Sequence, residues 1–136
     1  VFTPEHVAPR TFVPLPSSKT SDHPNYCDRP LRSLTGAFRG YNADIRLLLR
    51  QTRSVDADHR SGHSRISYDD LFSITEIDPS QLQTSLQQQV VLFDDVLTSG
   101  KHFKVAQTRI HEMFPSQSIV GLFVARCIHA SPPDEF

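Results

Sequence analysis

Two adjacent carboxylates, Asp94 and Asp95, follow four consecutive apolar residues, Val90-Val91-Leu92-Phe93, and lie just ahead of a Thr98-Ser99-Gly100 turn. Ionised carboxylates only accept hydrogen bonds, so such a pair suits vicinal hydroxyls. Successive backbone N–H groups in a turn that runs into a helix do the opposite and gather around an anion, helped by the helix dipole. The hydroxyls of Thr98 and Ser99 add donors, and Gly100 removes a Cβ from the path of a ligand. The chemistry this arrangement suits is a sugar phosphate, with phosphate in the turn and ribose hydroxyls on the acids. Adjacent acids at a strand end are otherwise ordinary solubilising residues; the flanking apolar run and the helix give these two a context.

The elements that must position those residues are legible on either side. Four apolar residues in a row mark a strand covered on both faces. From Lys101 onward, Phe103, Ala106, Ile110, Met113 and Phe114 keep helical spacing until Pro115, and residues 118–125 (SIVGLFVA) are again strand-like. Strand, helix, strand predicts a βαβ unit with a right-handed crossover. Upstream, residues 11–15 (TFVPL) predict a short strand limited by Pro14, and residues 16–25 a loop of turn-forming residues. Asp28 before Arg29-Pro30 reads as a helix N-cap with proline in the first turn. Leu31, Leu34, Phe38, Tyr41, Ile45 and Leu48 recur at steps of three and four. Gly36 and Gly40 interrupt them at a cost of about 1 kcal/mol each, so two helical pieces are expected, 29–35 and 43–50. Ser67 should cap a helix through Ile74, and Asp78-Pro79 should start another through Gln87.

Between Arg46 and Arg65 five arginines face two aspartates, a local charge of five minus two, or +3. Residues 51–65 therefore read as a mobile basic loop. The chain as a whole carries a formal charge of -1 with 38% apolar and 21% charged residues. That balance favours neither nucleic acid nor a membrane as partner. No apolar run approaches the roughly 20 residues of a spanning helix, and residues 1–136 read as a single soluble domain with a cytoplasmic location. Cys27 and Cys127, far apart and outside any CxxC pair, are expected as free thiols. His59 and His63 are four apart but lack a third ligand for a metal site.

Residues 90–102 (VVLFDDVLTSGKH) resemble the phosphoribosyl-pyrophosphate (PRPP) binding motif of the type I phosphoribosyltransferases. The likeness holds from Val90 to Gly100; the family more often has a small residue where Lys101 stands and Thr or Ser where His102 stands. TFVPLPSSK resembles the strand and diphosphate-binding loop of the competence-protein branch, and Arg39-Gly40-Tyr41-Asn42 a stretch of that branch. The resemblance implies a three-layer α/β fold, a mostly parallel sheet with flanking helices. It also implies displacement of pyrophosphate from C1 of PRPP by a nitrogen nucleophile, with Mg²⁺ bound mainly through the substrate's own oxygens.

By the same resemblance Asp94 and Asp95 hold the ribose, face the developing positive charge and supply any protein contact to the metal. Val96, Leu97, Thr98, Ser99, Gly100, Lys101 and His102 anchor the 5′-phosphate. Ser17, Ser18 and Lys19 meet the departing diphosphate, with Arg29 and, from the basic loop, Arg60 as further cations. PRPP or a nucleoside monophosphate is the expected partner, and the family leaves room for a homodimer. A non-catalytic relative that binds PRPP or a nucleotide as a sensor is the alternative.

Overall fold

The computed structural model describes residues 3–55, 66–97 and 99–126. In chain order the elements are α1 (Pro4–Val7), β1 (Arg10–Pro14), α2 (Arg29–Ala37), β2 (Asp44–Ile45), β3 (Leu49–Gln51), α3 (Tyr68–Ile74), β4 (Thr75–Ile77), a 3-10 turn (Pro79–Leu82), β5 (Gln89–Leu97), α4 (Lys101–Met113) and β6 (Ser118–Arg126). Four strands form a parallel sheet in the order β2-β1-β5-β6, while β3 and β4 pair antiparallel.

Side chains alternate across β1 and β5, and each face receives its own helix. Phe12, Val91 and Phe93 pack with Leu34 and Phe38 of α2. Val13, Val90 and Leu92 pack with Ala106 and Ile110 of α4 on the opposite face. The apolar run at 90–93 is thus an α/β core strand, buried on both sides. Beyond α4, Leu71 and Ile74 of α3 bury against Val105. Arg109 secures that layer by donating to the carbonyls of Phe72 and Thr75 at 2.6 and 2.8 Å, its guanidinium 3.5 Å from the Phe72 ring centre. On the α2 face, β6 has no helix over it among the described residues, and Val124 is 75% exposed.

Connectivity fixes where a ligand would find a crevice. From β1 the chain passes through α2 to β2 on one side, and from β5 through α4 to β6 on the other. The two connections part company at the carboxyl ends of β1 and β5. In open α/β sheets that reversal opens the crevice where ligands bind.

Three expected elements differ. Residues 43–50 are two short strands, β2 and β3, and not a helix. The reason is Arg46, which is buried and uses extended backbone around it to reach Asp44 Oδ1 at 2.8 Å and the carbonyls of Gln81, Thr84 and Ser85 at 2.9, 2.7 and 2.8 Å. Those same carbonyls, turned toward a guanidinium, are unavailable to a helix, so the segment after Asp78 makes only the 3-10 turn instead of running to Gln87. Helix α2 continues past Thr35 through Gly36, and the Asp28 carboxylate pairs with Arg32 Nε at 2.8 Å instead of capping a backbone amide. Ser67 does cap α3, accepting from the Asp70 amide at 3.1 Å. No helix among the described residues is long and apolar enough to cross a membrane.

Candidate functional site

Strand β5 runs to Leu97, so Asp94 and Asp95 sit inside it at its carboxyl end. Neighbours on a strand leave it toward opposite faces, but the Asp94 and Asp95 carboxyl groups stay close enough to interact. Asp95 turns to the α2 face, where its Oδ2 lies 2.8 Å from Arg29 Nε; the two side chains are 28% and 65% exposed. The Asp94 Oδ1 accepts the Asp95 amide at 2.8 Å. Burial pushes the Asp94 carboxyl up to about 6; the bond from the Asp95 amide opposes that rise, and the hydrogen bond to the Asp95 side chain and then its charge add to it. One carboxylate is therefore paired with a cation, and the other is held near its protonation point.

Val96 and Leu97 belong to the sheet, in register with Ala125 and Arg126 of β6. Among the described residues, the turn that remains for an anion is narrower than the motif implies: Ser99, Gly100 and the first turn of α4. Thr98 lies outside the described residues. Gly100 has φ 75°, and a Cβ there would meet only Leu97 Cδ1 at 3.9 Å. Its backbone conformation, not a shortage of space, is what calls for glycine. The Lys101 amide faces Ser99 Oγ at 3.4 Å, and the first-turn amides of a helix have no acceptor within it.

Lys101 and His102 follow in the first turn of α4. Lys101 Nζ donates to the carbonyl of Ile66 at 2.6 Å, binding α4 to the segment before α3. His102 is half-buried; burial first, then the charge of Lys101, lowers its pKa and favours the neutral ring.

The second part of the site follows β1. Leu15 donates to the carbonyl of Phe93 at 2.8 Å, which ties the start of this loop to β5. Ser17 Oγ accepts the Lys19 amide at 3.2 Å. The Thr20 amide donates to Ser54 Oγ at 3.0 Å, and the Val55 amide to the Ser18 carbonyl at 2.8 Å. A cavity of about 210 Å³ opens here, with Pro16, Lys19, Tyr26, Cys27, Arg50 and Asp78 in its wall. Asp94 and Asp95 are not part of that wall.

Comparison with protein-family models, curated proteins and solved structures finds no match. The structure brings Arg29 to Asp95 and sets the loop of Ser17, Ser18 and Lys19 at the end of the neighbouring strand. Arg60 lies outside the described residues, as do His59, His63 and Cys127. Cys27 is a free, exposed thiol.

The site's donor set bears on magnesium. Hard oxygen ligands suit the ion, which keeps most of its shell for water and phosphate oxygens. Asp94 and Asp95, whose carboxyl groups lie close enough to interact, are the oxygen donors this part of the site offers, and the ion's other ligands would come from a bound diphosphate and water. The role of 51–55 has no signature in the sequence. Gln51 reads there as the first residue of a polar loop, and no local signal marks a side chain that serves a loop some thirty residues earlier.

Proposed function

We propose that the chain binds PRPP, or another ribose 5-phosphate, on a phosphoribosyltransferase-like fold, and transfers the phosphoribosyl group to or from a nitrogenous acceptor. The observation that carries the reading is the position of Asp95, Asp94 and the Gly100 turn at the carboxyl end of β5, beside the reversal of strand order. The 5′-phosphate would sit against Ser99, Gly100 and the first-turn amides of α4, so that binding energy remote from C1 orients the sugar. Ribose hydroxyls would donate to Asp95, taking the place of Arg29 Nε. Arg29 would then be free to turn with Lys19 toward the diphosphate.

In the reaction the bond from C1 to the diphosphate oxygen breaks as the bond to the acceptor nitrogen forms. The transition state resembles an oxocarbenium cation, so the protein contributes position and negative potential and needs no covalent nucleophile. Magnesium arriving with PRPP would neutralise the departing diphosphate. Neutral His102 can serve the phosphate as a hydrogen-bond donor, but it adds no charge. The alternative is a sensor of the same fold that binds PRPP or a nucleotide without turnover.

Calorimetric titration tests the reading, with PRPP and Mg²⁺ and then with ribose 5-phosphate and nucleoside monophosphates. Binding of PRPP is expected, and Asp95→Asn should weaken it about tenfold or more, the scale of a lost charged hydrogen bond, with little change in melting temperature. Unchanged affinity in the variant would remove the ribose role. Pyrophosphate release with any nitrogenous base would decide against the sensor.

A further inference from the structure

Gln51 is a buried polar side chain at the end of β3, 7% exposed, with no site assigned to it by the motif. Its amide has one orientation that satisfies its surroundings. With nitrogen facing them, it donates to the carbonyls of Ser17 and Ser18 at 3.2 Å each; the two acceptors dictate that choice. The same Ser18 carbonyl also takes the Val55 amide at 2.8 Å. Ser54 Oγ holds the next residue but one, lying 3.0 Å from the Thr20 amide and 3.1 Å from its hydroxyl. Residues 17–20 are thus fastened from behind by 51–55.

The consequence follows from peptide geometry. Every peptide bond in the described chain is trans, so each carbonyl and the N–H of the next residue point in opposite directions. Turning the carbonyls of Ser17 and Ser18 toward Gln51 therefore turns the amides of Ser18 and Lys19 away from it. Ser17 Oγ lies on that outward side, because the Lys19 amide donates to it at 3.2 Å. Once it accepts that bond, the Ser17 hydroxyl can give its own hydrogen outward. The Ser18 amide and the Ser17 hydroxyl then face one way as donors to an anion, with the Lys19 amide on the same side held by Ser17 Oγ.

We infer that Gln51, with Ser54 beside it, is the positioning residue of an anion-binding loop at 17–19, which takes the diphosphate end of the ligand while the turn at 99–101 takes the monophosphate end. This rests on the phosphoribosyl reading only for the identity of the second ligand end. Gln51 also stands in the wall of the 210 Å³ cavity. It acts by fixing which way the backbone donors face, and the loop has no positive-φ residue of its own to do so.

The test compares two probes on the intact chain: inorganic pyrophosphate with Mg²⁺, and ribose 5-phosphate. Gln51→Leu keeps the bulk of the side chain and removes its donor. Pyrophosphate affinity should fall about tenfold, the scale of a lost buried hydrogen bond with its acceptors left behind, while ribose 5-phosphate affinity stays within about twofold on that scale. Unchanged pyrophosphate binding would overturn the proposal, and so would an equal loss of both probes, the mark of a merely structural role. If Gln51→Leu shows no cooperative melting, Ser54→Ala puts the same question with a smaller expected drop of about threefold, one hydrogen bond's worth. A wild-type chain that binds pyrophosphate but not ribose 5-phosphate would sink the phosphoribosyl reading and spare the loop. Binding of ribose 5-phosphate alone would do the reverse.

Discussion

The two connections that leave the sheet at its strand-order reversal are built in different ways. After β5 the chain reaches α4 in three residues, and the described part of that turn depends on one backbone angle, φ 75° at Gly100. After β1 the chain takes residues 15–28 to reach α2, with no positive φ anywhere; residues 20–26 carry turns of their own, and the shape of 15–20 comes from contacts with Phe93, Gln51, Ser54 and Val55. A short turn stores its geometry in its own torsions, and a long one borrows its geometry from neighbours. The first should be rigid whether or not the rest of the fold is disturbed; the second should hold only while 51–55 stays in place.

The sharpest way to break that contrast is Gly100→Val. A β-branched residue at positive φ is strained whatever space surrounds it, at a cost of about 1–3 kcal/mol. Urea denaturation should show a fall of that size. A variant as stable as wild type would mean that the turn reaches α4 without the left-handed torsion, and the difference between the two connections would vanish.

The same contrast explains what can be read from the residues alone. The strand at 90–93, the helix from Lys101 to Met113 and the stop at Pro115 are legible because every cue is local: an apolar run, a three-four spacing, a glycine and a proline. Strand β1 and the α3 cap at Ser67 are legible for the same reason. The stretch at 43–50 is not, because Ile45 and Leu48 do keep helical spacing with Tyr41. Extended backbone wins there through Arg46, whose acceptors at 81, 84 and 85 are dozens of residues away. At the site itself the acid pair and the glycine turn announce themselves. Only the pairing of β5 with β6 as far as Leu97 places both acids inside the strand and not after it. Nothing near Gln51 in sequence ties it to Ser17.

A smaller effect separates the two acids at the end of β5. The Asp94 carboxyl has a folded-state pKa near 6 against an ordinary 3.8, chiefly because of burial. Between about pH 4 and 6 the folded chain therefore holds a proton that the unfolded chain has lost. The stabilising contribution of this group is full below pH 4 and is lost as pH rises through 6. Solvent screening trims it to on the order of 1 kcal/mol. Asp44 is shifted the other way: burial raises its pKa, but its bonds to Arg46 and Thr11 outweigh that and leave it lowered. The difference curve between wild type and Asp94→Asn isolates the Asp94 slope. A flat difference across pH 4 to 6 would show that burial does not raise the Asp94 carboxyl and that the folded chain holds no extra proton there.

The least costly change cuts a link between the two connections. Arg29 is the first residue of the helix to which the long loop leads, and its guanidinium meets Asp95 at 2.8 Å with 65% of its side chain exposed. An exposed pair of this kind contributes about 0.2–1 kcal/mol and weakens in salt. Arg29→Ala should therefore lower stability by less than about 1 kcal/mol, and the gap between variant and wild type should shrink as ionic strength rises. The turn after β5 should keep its hydrogen-exchange protection, since Gly100 and the β6 ladder are untouched. Should Arg29→Ala instead cost several kcal/mol and expose both connections to exchange together, they would form one cooperative unit, and the separation of a self-supporting turn from a borrowed one would be wrong.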